Sequence, residues 1–392
     1  MDEPVIIAAC RTAIGTAFKG SLTETSAFRL AEVVVTAALE RSGLAPGDID
    51  DLVLGEGLHG GGVIARYAAV AAGLTGIPGL AVNRHCAAGM AAVQVAAADI
   101  AAGMSDAVIA GGAYSQSTVP TSRYREPGTD QWAESWISPS HPATPDAPAL
   151  DMSITVGWNA AQEAGLTREQ LDAWALRSHQ RAVAAIDEGR FADEIVPFTI
   201  TRQDGQEVVW EVDEHPRRSS SAEKLASLPP LHPEIEGFSV TAGNAGGLND
   251  GAAALVLTSA PFASARGVAP LATVKSWASV GIEPARTGMG PVYAIPKALE
   301  RIGLSVGDVD LFEINEAFAS VPVAACQELK LDEDRVNISG SGCSLGHPVA
   351  ATGARMLVTL VNDLRRRGGG IGVASMCAGG GMGSATVIEV PG

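Results

Sequence analysis

Residues 38–56, ALERSGLAPGDIDDLVLGE, return in altered form at residues 298–316, ALERIGLSVGDVDLFEINE. The two stretches align without a gap, and ten of their nineteen positions are identical. Each has the pattern of a helix end, a glycine turn and a buried strand. A second, weaker similarity follows each copy. Val82-Asn83 and Val336-Asn337 both precede a small-residue helix and then a strand ending in Ala-Gly-Gly. The repeat predicts two homologous α/β halves packed as layers.

Composition limits the range of functions. The chain has 392 residues, enough for two or three domains. Its 27 basic and 44 acidic residues give a formal net charge of −17, which argues against general binding to nucleic acids or anionic membranes. The five cysteines are widely spaced, so neither a disulfide framework nor a zinc site is indicated. Without a signal peptide or a long uninterrupted apolar run, we expect a cytoplasmic protein.

The material between the two halves differs from both. Residues 120–150 are rich in Pro, Ser and Thr. Thr167 and Gln170 match a capping box, which predicts an amphipathic helix beginning after Thr167. Residues 201–235 have the character of a loop. An insertion of this kind over the mouth of an α/β core commonly shapes a substrate site.

Cys86 and His347 occupy corresponding positions in the two halves. Cys86 comes after a predicted strand and just before a helix of small residues, where free backbone N–H groups and the helix dipole stabilise a thiolate. His347 stands at the equivalent junction in the second half. If the halves pack around a pseudo-twofold axis, both face one cleft and can act as nucleophile and base. A structural thiol and a structural histidine are the alternatives.

Two further polar residues stand near the ends of predicted strands. Cys377 lies beside glycine backbone N–H groups that could hold an oxyanion. Asn315 lies at the end of the repeated strand in the second copy, and the first copy has Gly55 at the matching position. The side-chain amide is therefore present in the second half only. A core thiol and a turn-forming asparagine are the alternatives.

One motif is typical of a different class of protein, those that bind a dinucleotide cofactor. Residues 55–60 match G-x-G-x-x-G after a predicted strand, but no acidic residue ends the next strand. A nicotinamide cofactor is therefore not favoured. The seven histidines show no metal-binding spacing either.

Together these motifs resemble the thiolase family of acetyl-CoA acetyltransferases and 3-ketoacyl-CoA thiolases. The resemblance runs almost end to end, through residues 9–15, 82–86, 213–217, 240–245, 249–254, 315–319, 345–348 and 377–383. It implies an α/β fold, a five-layer αβαβα sandwich of two duplicated halves with an inserted loop domain. The implied boundaries are 1–119 with 247–262 for the N-terminal half, 120–246 for the insertion, and 263–392 for the C-terminal half.

The resemblance also implies a role for each site residue. Cys86 takes the acyl group from coenzyme A as a thioester, and His347 is its base. Asn315 holds a water that completes an oxyanion site with His347. Cys377 is the second acid–base group, while the backbone N–H groups of Cys86 and Gly379 form the other oxyanion hole.

The implied reaction is thiolytic cleavage of a 3-oxoacyl-CoA, or the reverse Claisen condensation. Acyl-CoA and CoA are the expected partners of a homodimer or homotetramer, with no metal or further cofactor. The candidates for the CoA phosphates are Arg217, Arg218 and Lys224, with a solvated loop as the alternative. The candidates for the acyl and pantetheine path, with apolar core as the alternative, are Met152, Ala245, Gly246, Met289, Ala317 and Phe318.

Several positions depart from the family pattern. Tyr114 and Gln116 replace a Glu and a Met, Gly246 stands where Ser is frequent, and Ser153 follows Met152 where Gly is usual. Residues 121–149 do not resemble the usual tetramerisation and covering segments. These departures leave open a thiolase-like acyl-CoA-binding or partner-dependent subunit with altered or no activity. A ketosynthase-type condensing enzyme is a further alternative, although that type lacks the second catalytic cysteine.

Overall fold

The computed structural model of the chain describes residues 2–59, 64–133, 135–202 and 204–392. Gly60, the last residue of the G-x-G-x-x-G match, lies outside these ranges. The strands within them are β1 (Pro4–Arg11), β2 (Gly15–Thr16), β3 (Asp51–Gly55), β4 (Leu80–Val82), β5 (Ala107–Ser115), β6 (Phe198–Thr201), β7 (Glu207–Trp210), β8 (Asn249–Ser259), β9 (Ala272–Gly281), β10 (Leu311–Ile314), β11 (Gly370–Ala378) and β12 (Met382–Val390). The α-helices are α1 (Ala27–Ser42), α2 (Ile64–Ala71), α3 (Ala88–Ala101), α4 (Asn159–Glu163), α5 (Arg168–Asp187), α6 (Ala222–Ala226), α7 (Ala260–Ala265), α8 (Gly290–Glu300), α9 (Ser320–Leu329), α10 (Gly342–Leu345) and α11 (Val349–Arg367).

The main sheet consists of two halves joined at one short contact. The strand order is β10-β11-β12-β9-β1-β8-β5-β3-β4, with β2 paired to β8. The first sheet half is β4-β3-β5-β8-β1, and the second is β9-β12-β11-β10. Within the described residues, their strands pair only where Val5 and Ile6 of β1 lie opposite Thr273 and Ala272 of β9. The strands of the two duplicated halves therefore form one continuous sheet.

Helices cover both outer faces and fill the space between the sheet halves. Helices α1 and α2 pack on the outer face of the first half, and α8 packs on the outer face of the second. Helices α3 and α11 lie between the two, where Met90 and Met356 join Val108 and Met376 in one apolar core. The order of layers is αβαβα, so the fold predicted from the sequence is confirmed.

The repeated sequence forms the same local structure in both halves. In each copy a glycine with positive φ follows the helix, Gly43 at 70° directly after α1 and Gly303 at 71° three residues after the end of α8. A short 3₁₀ turn and a buried parallel strand, β3 or β10, then follow. The left-handed backbone is accessible to glycine at little cost, which explains why both copies keep this residue.

The insertion between β5 and β8 packs against the second half. The capping box is present: the Thr167 side chain accepts from the Gln170 N–H, and the Gln170 side chain accepts from the Thr167 N–H. Trp174 and Ser178 of α5 donate to the buried carboxylate of Glu316, at 2.9 and 2.6 Å. A π-helical segment, Ser153–Trp158, leads into α4. Within the described ranges, every helix is too short or too polar to span a bilayer.

Candidate active site

Cys86 stands in a tight turn between β4 and α3. The turn places His85 at φ 47°, an uncommon conformation for a residue with a side chain. Asn83 stabilises it, because its Oδ1 accepts from the His85 N–H at 2.8 Å. The strand and the helix that the sequence predicts on either side of Cys86 are both present.

The surroundings of the Cys86 thiol act on its pKa in two directions. Burial is the larger influence and raises the pKa, because a desolvated thiolate is unfavourable. The backbone N–H groups of Gly379 and of Cys86 itself lower it, but they do not offset the burial. The net shift is opposite to the thiolate stabilisation expected from the sequence. Cys86 is therefore a thiol at neutral pH, and a base must deprotonate it.

His347 has the properties of such a base. Its Nδ1 lies 2.7 Å from the hydroxyl oxygen of Thr352, whose own proton is donated to the Pro348 carbonyl at 3.0 Å. The Thr352 oxygen must therefore accept a proton from Nδ1, which leaves the lone pair on Nε2. Nε2 is buried and has no hydrogen-bond partner among the described residues. Burial, helped by the charge of Arg355, lowers the pKa of His347 to about 4, so the ring is neutral at pH 7.

Asn315 directly follows β10 and is fully buried. Its backbone N–H donates to the Ser375 carbonyl at 3.0 Å, which fixes its position. The side-chain amide lies against Gly342, where a Cβ would approach Oδ1 to 2.9 Å. Neither the oxygen nor the nitrogen of this amide has a partner among the described residues. A buried amide without partners is available to a substrate or a bound water.

Cys377 lies one residue before the end of β11 and is buried. Burial is the main cause that raises its pKa, and the charge of a Cys86 thiolate raises it further. The two thiols are thus electrostatically coupled neighbours. Cys377 is protonated at neutral pH, which makes it a proton donor rather than a resting nucleophile.

A cavity of about 590 Å³ opens beside Cys86. Gly379 and Met152 line it together with Cys86, so it brings three of the predicted residues together. A Cβ on Gly379 would lie 3.7 Å from the Met152 sulfur, which is ordinary contact. The rest of the wall consists of Gly57, Leu58, Asn83, Arg84, His85, Tyr114, Ile137, Ser138, Ser140, Ala149, Leu150, Val349 and Met382.

A second group of predicted residues flanks His347. Ala245 forms a bridge with Phe318, and the Gly246 N–H donates to the Ala317 carbonyl at 2.9 Å. A Cβ on Gly246 would lie 3.4 Å from the Cβ of His347. None of these four residues lines the cavity beside Cys86. They form a separate wall next to the base.

Four other candidates lie elsewhere. Met289 is not part of the cavity wall and is packed in the apolar core around α8 and α9, which is the alternative considered from the sequence. Arg217 and Lys224 are exposed, and Lys224 donates to the Ser219 carbonyl at 2.6 Å. Arg218 is paired with Asp187. Arg217 and Arg218 line a small hollow of about 250 Å³ next to α5.

Sequence reasoning missed two features of the site. Thr352, which sets the His347 tautomer, lies in the first turn of α11, and its spacing of five residues from His347 was the only available signal. The second feature is a hydrogen-bonded pair of residues, one of which, Ser140, lies on the cavity wall. Ser140 lies 2.8 Å from Nδ1 of His141, whose Nε2 lies 2.9 Å from the Ala147 carbonyl. This carbonyl fixes the histidine proton on Nε2, so Ser140 is the donor.

Comparison with known proteins agrees with this geometry. Residues 4–261 match the family described as thiolase, N-terminal domain, and residues 268–390 match thiolase, C-terminal domain. The chain is 41% identical to an acetyl-CoA acetyltransferase of Pseudomonas aeruginosa over 99% of both chains. It is 39% identical to a 3-ketoacyl-CoA thiolase of Bacillus subtilis over the full length of both.

Solved structures give the same result. The crystal structure of the Bacillus anthracis acetyl-CoA acetyltransferase has a TM-score of 0.89 and 40% identity, and covers 100% of this chain and 99% of its own. Human mitochondrial 3-ketoacyl-CoA thiolase has a TM-score of 0.91 and 33% identity with the same coverage. The chain belongs to the thiolase family. The prediction of an acyltransferase of this family is confirmed.

Proposed function

We propose that the protein cleaves a 3-oxoacyl-CoA with coenzyme A, and runs the reverse Claisen condensation, through an acyl-enzyme on Cys86. The observation that carries this proposal is the Cys86 thiol held against the Gly379 N–H on the wall of a mainly apolar cavity. A thioester formed there has its carbonyl oxygen within reach of the Cys86 and Gly379 N–H groups. One oxyanion donor of this kind is worth about 10²–10³ in rate.

The first step is a proton transfer from Cys86 to Nε2 of His347. The lone pair of Nε2 is free because Thr352 holds the ring proton on Nδ1. Val349, two residues after His347, lines the same cavity as Cys86, which supports their cooperation. The thiolate then attacks C3 of the substrate, and the charge that develops on the C3 oxygen is stabilised by hydrogen bonds.

Breaking the C2–C3 bond releases the enolate of acetyl-CoA. The buried Asn315 amide, through a water shared with protonated His347, stabilises the enolate oxygen. Cys377, whose raised pKa keeps it protonated, gives its proton to C2. The Cys377 thiolate then takes the proton of the incoming CoA thiol. Attack of that CoA thiolate on the acyl-enzyme frees Cys86, which regains its proton from His347.

The same proposal covers the other expectations from the sequence. Coenzyme A and acyl-CoA are the substrates, and the side chains above perform the chemistry without a metal or further cofactor. The exposed Arg217 and Lys224 bind CoA phosphates. The enzyme works in the cytoplasm as a homodimer or homotetramer. The five free cysteines support a reducing compartment.

Steady-state thiolysis of a panel of 3-oxoacyl-CoAs tests this function. The Cys86→Ser variant should lose turnover, because a serine at this position is a far weaker nucleophile. Cys326→Ser is the matched control, since Cys326 is a buried thiol of α9 outside the cavity. Full activity of Cys86→Ser, or equal loss in both variants, would refute the mechanism.

A further inference from the structure

The cavity beside Cys86 is larger than a short acyl group needs. Its volume of about 590 Å³ is within the range of roughly 300–1,000 Å³ typical of pockets for drug-sized ligands. In the proposed reaction, the group that becomes attached to Cys86 is the part of the substrate beyond C3. For acetoacetyl-CoA this is an acetyl group of two carbons, which leaves most of the cavity unfilled. A tightly bound substrate fills such a space with apolar atoms.

The wall of the cavity is mainly apolar. Its aliphatic side chains come from both halves and from the insertion, and include Leu58, Ile137, Ala149, Leu150, Met152 and Val349. Arg84 is the one lysine or arginine of the described wall, and its guanidinium is directed away, to Gln94 at 3.1 Å and Ser279 at 2.8 Å. Tyr114 closes one side as an uncharged aromatic wall, because its hydroxyl donates to Gln116 at 2.8 Å. These surroundings favour an apolar tail over a charged one.

Another cavity lies next to this one. A second cavity, of about 560 Å³, shares Gly57, Leu58, Asn83, Ile137 and Ser138 with the first. It extends towards Phe18, Val119 and Trp136, which add further apolar surface. The two cavities therefore adjoin each other at these shared residues.

The cavity is separate from the wall that flanks His347. That wall, Ala245 with Gly246 and Ala317 with Phe318, adjoins His347 and contributes no residue to either cavity. These four residues therefore remain candidates for the pantetheine part of the path.

We propose that the cavity beside Cys86 is an acyl pocket for 3-oxoacyl-CoAs with a long or bulky apolar tail; this proposal rests on the proposed function. Such substrates should be strongly preferred over acetoacetyl-CoA. Each methylene transferred from water into the pocket should raise kcat/KM about fourfold until the pocket is full, because its burial is worth about 0.8 kcal/mol and 1.4 kcal/mol is tenfold.

The test compares kcat/KM for acetoacetyl-, 3-oxohexanoyl-, 3-oxooctanoyl- and 3-oxodecanoyl-CoA. We expect 3-oxooctanoyl-CoA to exceed acetoacetyl-CoA by at least tenfold. Ala149→Phe, which fills the pocket from its buried wall, should reduce this ratio at least tenfold. Ile137→Trp does the same from a half-exposed position that is less critical for folding. Ala143→Phe is the matched control, since Ala143 is exposed in the same segment and lines neither cavity.

The outcomes separate the pocket from the function. Acetoacetyl-CoA as the best substrate, with efficiency falling along the series, overturns the pocket and leaves the thiolase activity intact. An equal rise in the KM for CoA at every chain length in Ala149→Phe shows that the cavity holds the pantetheine arm, which also overturns the proposal. No turnover with any member of the series overturns the proposed function itself.

Discussion

Replacing Thr352 with valine should slow the acylation of Cys86 while leaving the fold intact. Thr352 is fully buried, and valine keeps nearly its shape but can neither accept from His347 nor donate to Pro348. The Nδ1–H of His347 then loses its partner, at a cost of about 1–3 kcal/mol. Moving the proton to Nε2 relieves this cost but removes the lone pair that deprotonates Cys86. At 1.4 kcal/mol per factor of ten, acylation should slow about 5- to 140-fold.

Rapid-quench measurement of a single acylation turnover is the appropriate assay, because it isolates this step from product release. Thr352→Ser should restore the rate, since serine supplies the same oxygen and proton. Thr359→Val is the matched control on α11: it removes a buried hydrogen bond to Glu194 at 3.2 Å but does not contact His347. Acylation by Thr352→Val at the wild-type rate, with a folded protein, would refute the role of Thr352 as the residue that sets the tautomer.

Three further predictions concern the same site. The acylation rate should fall with decreasing pH only as pH approaches 4, because burial lowers the pKa of His347 to about 4 and the base is lost when the ring is protonated; a decline centred near 6.5 in the pH–rate profile would contradict this. Asn315→Ala should reduce kcat for thiolysis about 10²–10³-fold if the amide holds an oxyanion water, and a loss below threefold would show that it does not. Gly246→Ala should destabilise the protein by about 1–3 kcal/mol in urea unfolding, because its Cβ would lie 2.9 Å from the Glu316 carbonyl oxygen; an unchanged unfolding midpoint would disprove that crowding.

The fold was predictable because its decisive signals are local. The turn glycines Gly43 and Gly303 and the strands that follow them are encoded within nineteen residues of each copy. The capping box at Thr167 is equally local. The short pairing of β1 with β9 is different, since it joins segments far apart in sequence and only two residues of β1 take part. No hydrophobic periodicity in the sequence predicts such a contact.

The site was predictable in its residue types but not in its electrostatics. The position of Cys86 before α3 suggested a stabilised thiolate, whereas packing from distant segments desolvates the thiol and raises its pKa. The hydrogen bond from His347 to Thr352 depends on how α11 begins, which the sequence pattern does not show. The segment 120–150 was visible only as an atypical insertion. Its part in the cavity wall, at Ile137 and Ala149, follows from tertiary packing.

The central claim is that Cys86 carries the acyl group, and the mass of the intact protein tests it most directly. The protein is mixed with 3-oxooctanoyl-CoA in the absence of free CoA and measured beside Cys86→Ser. Release of acetyl-CoA leaves a hexanoyl group of six carbons on the enzyme. We therefore expect a mass gain equal to one hexanoyl group in the wild type and no gain in the variant. An adduct of the same mass on Cys86→Ser, or no adduct on the wild type with any 3-oxoacyl-CoA of the series, would contradict the account.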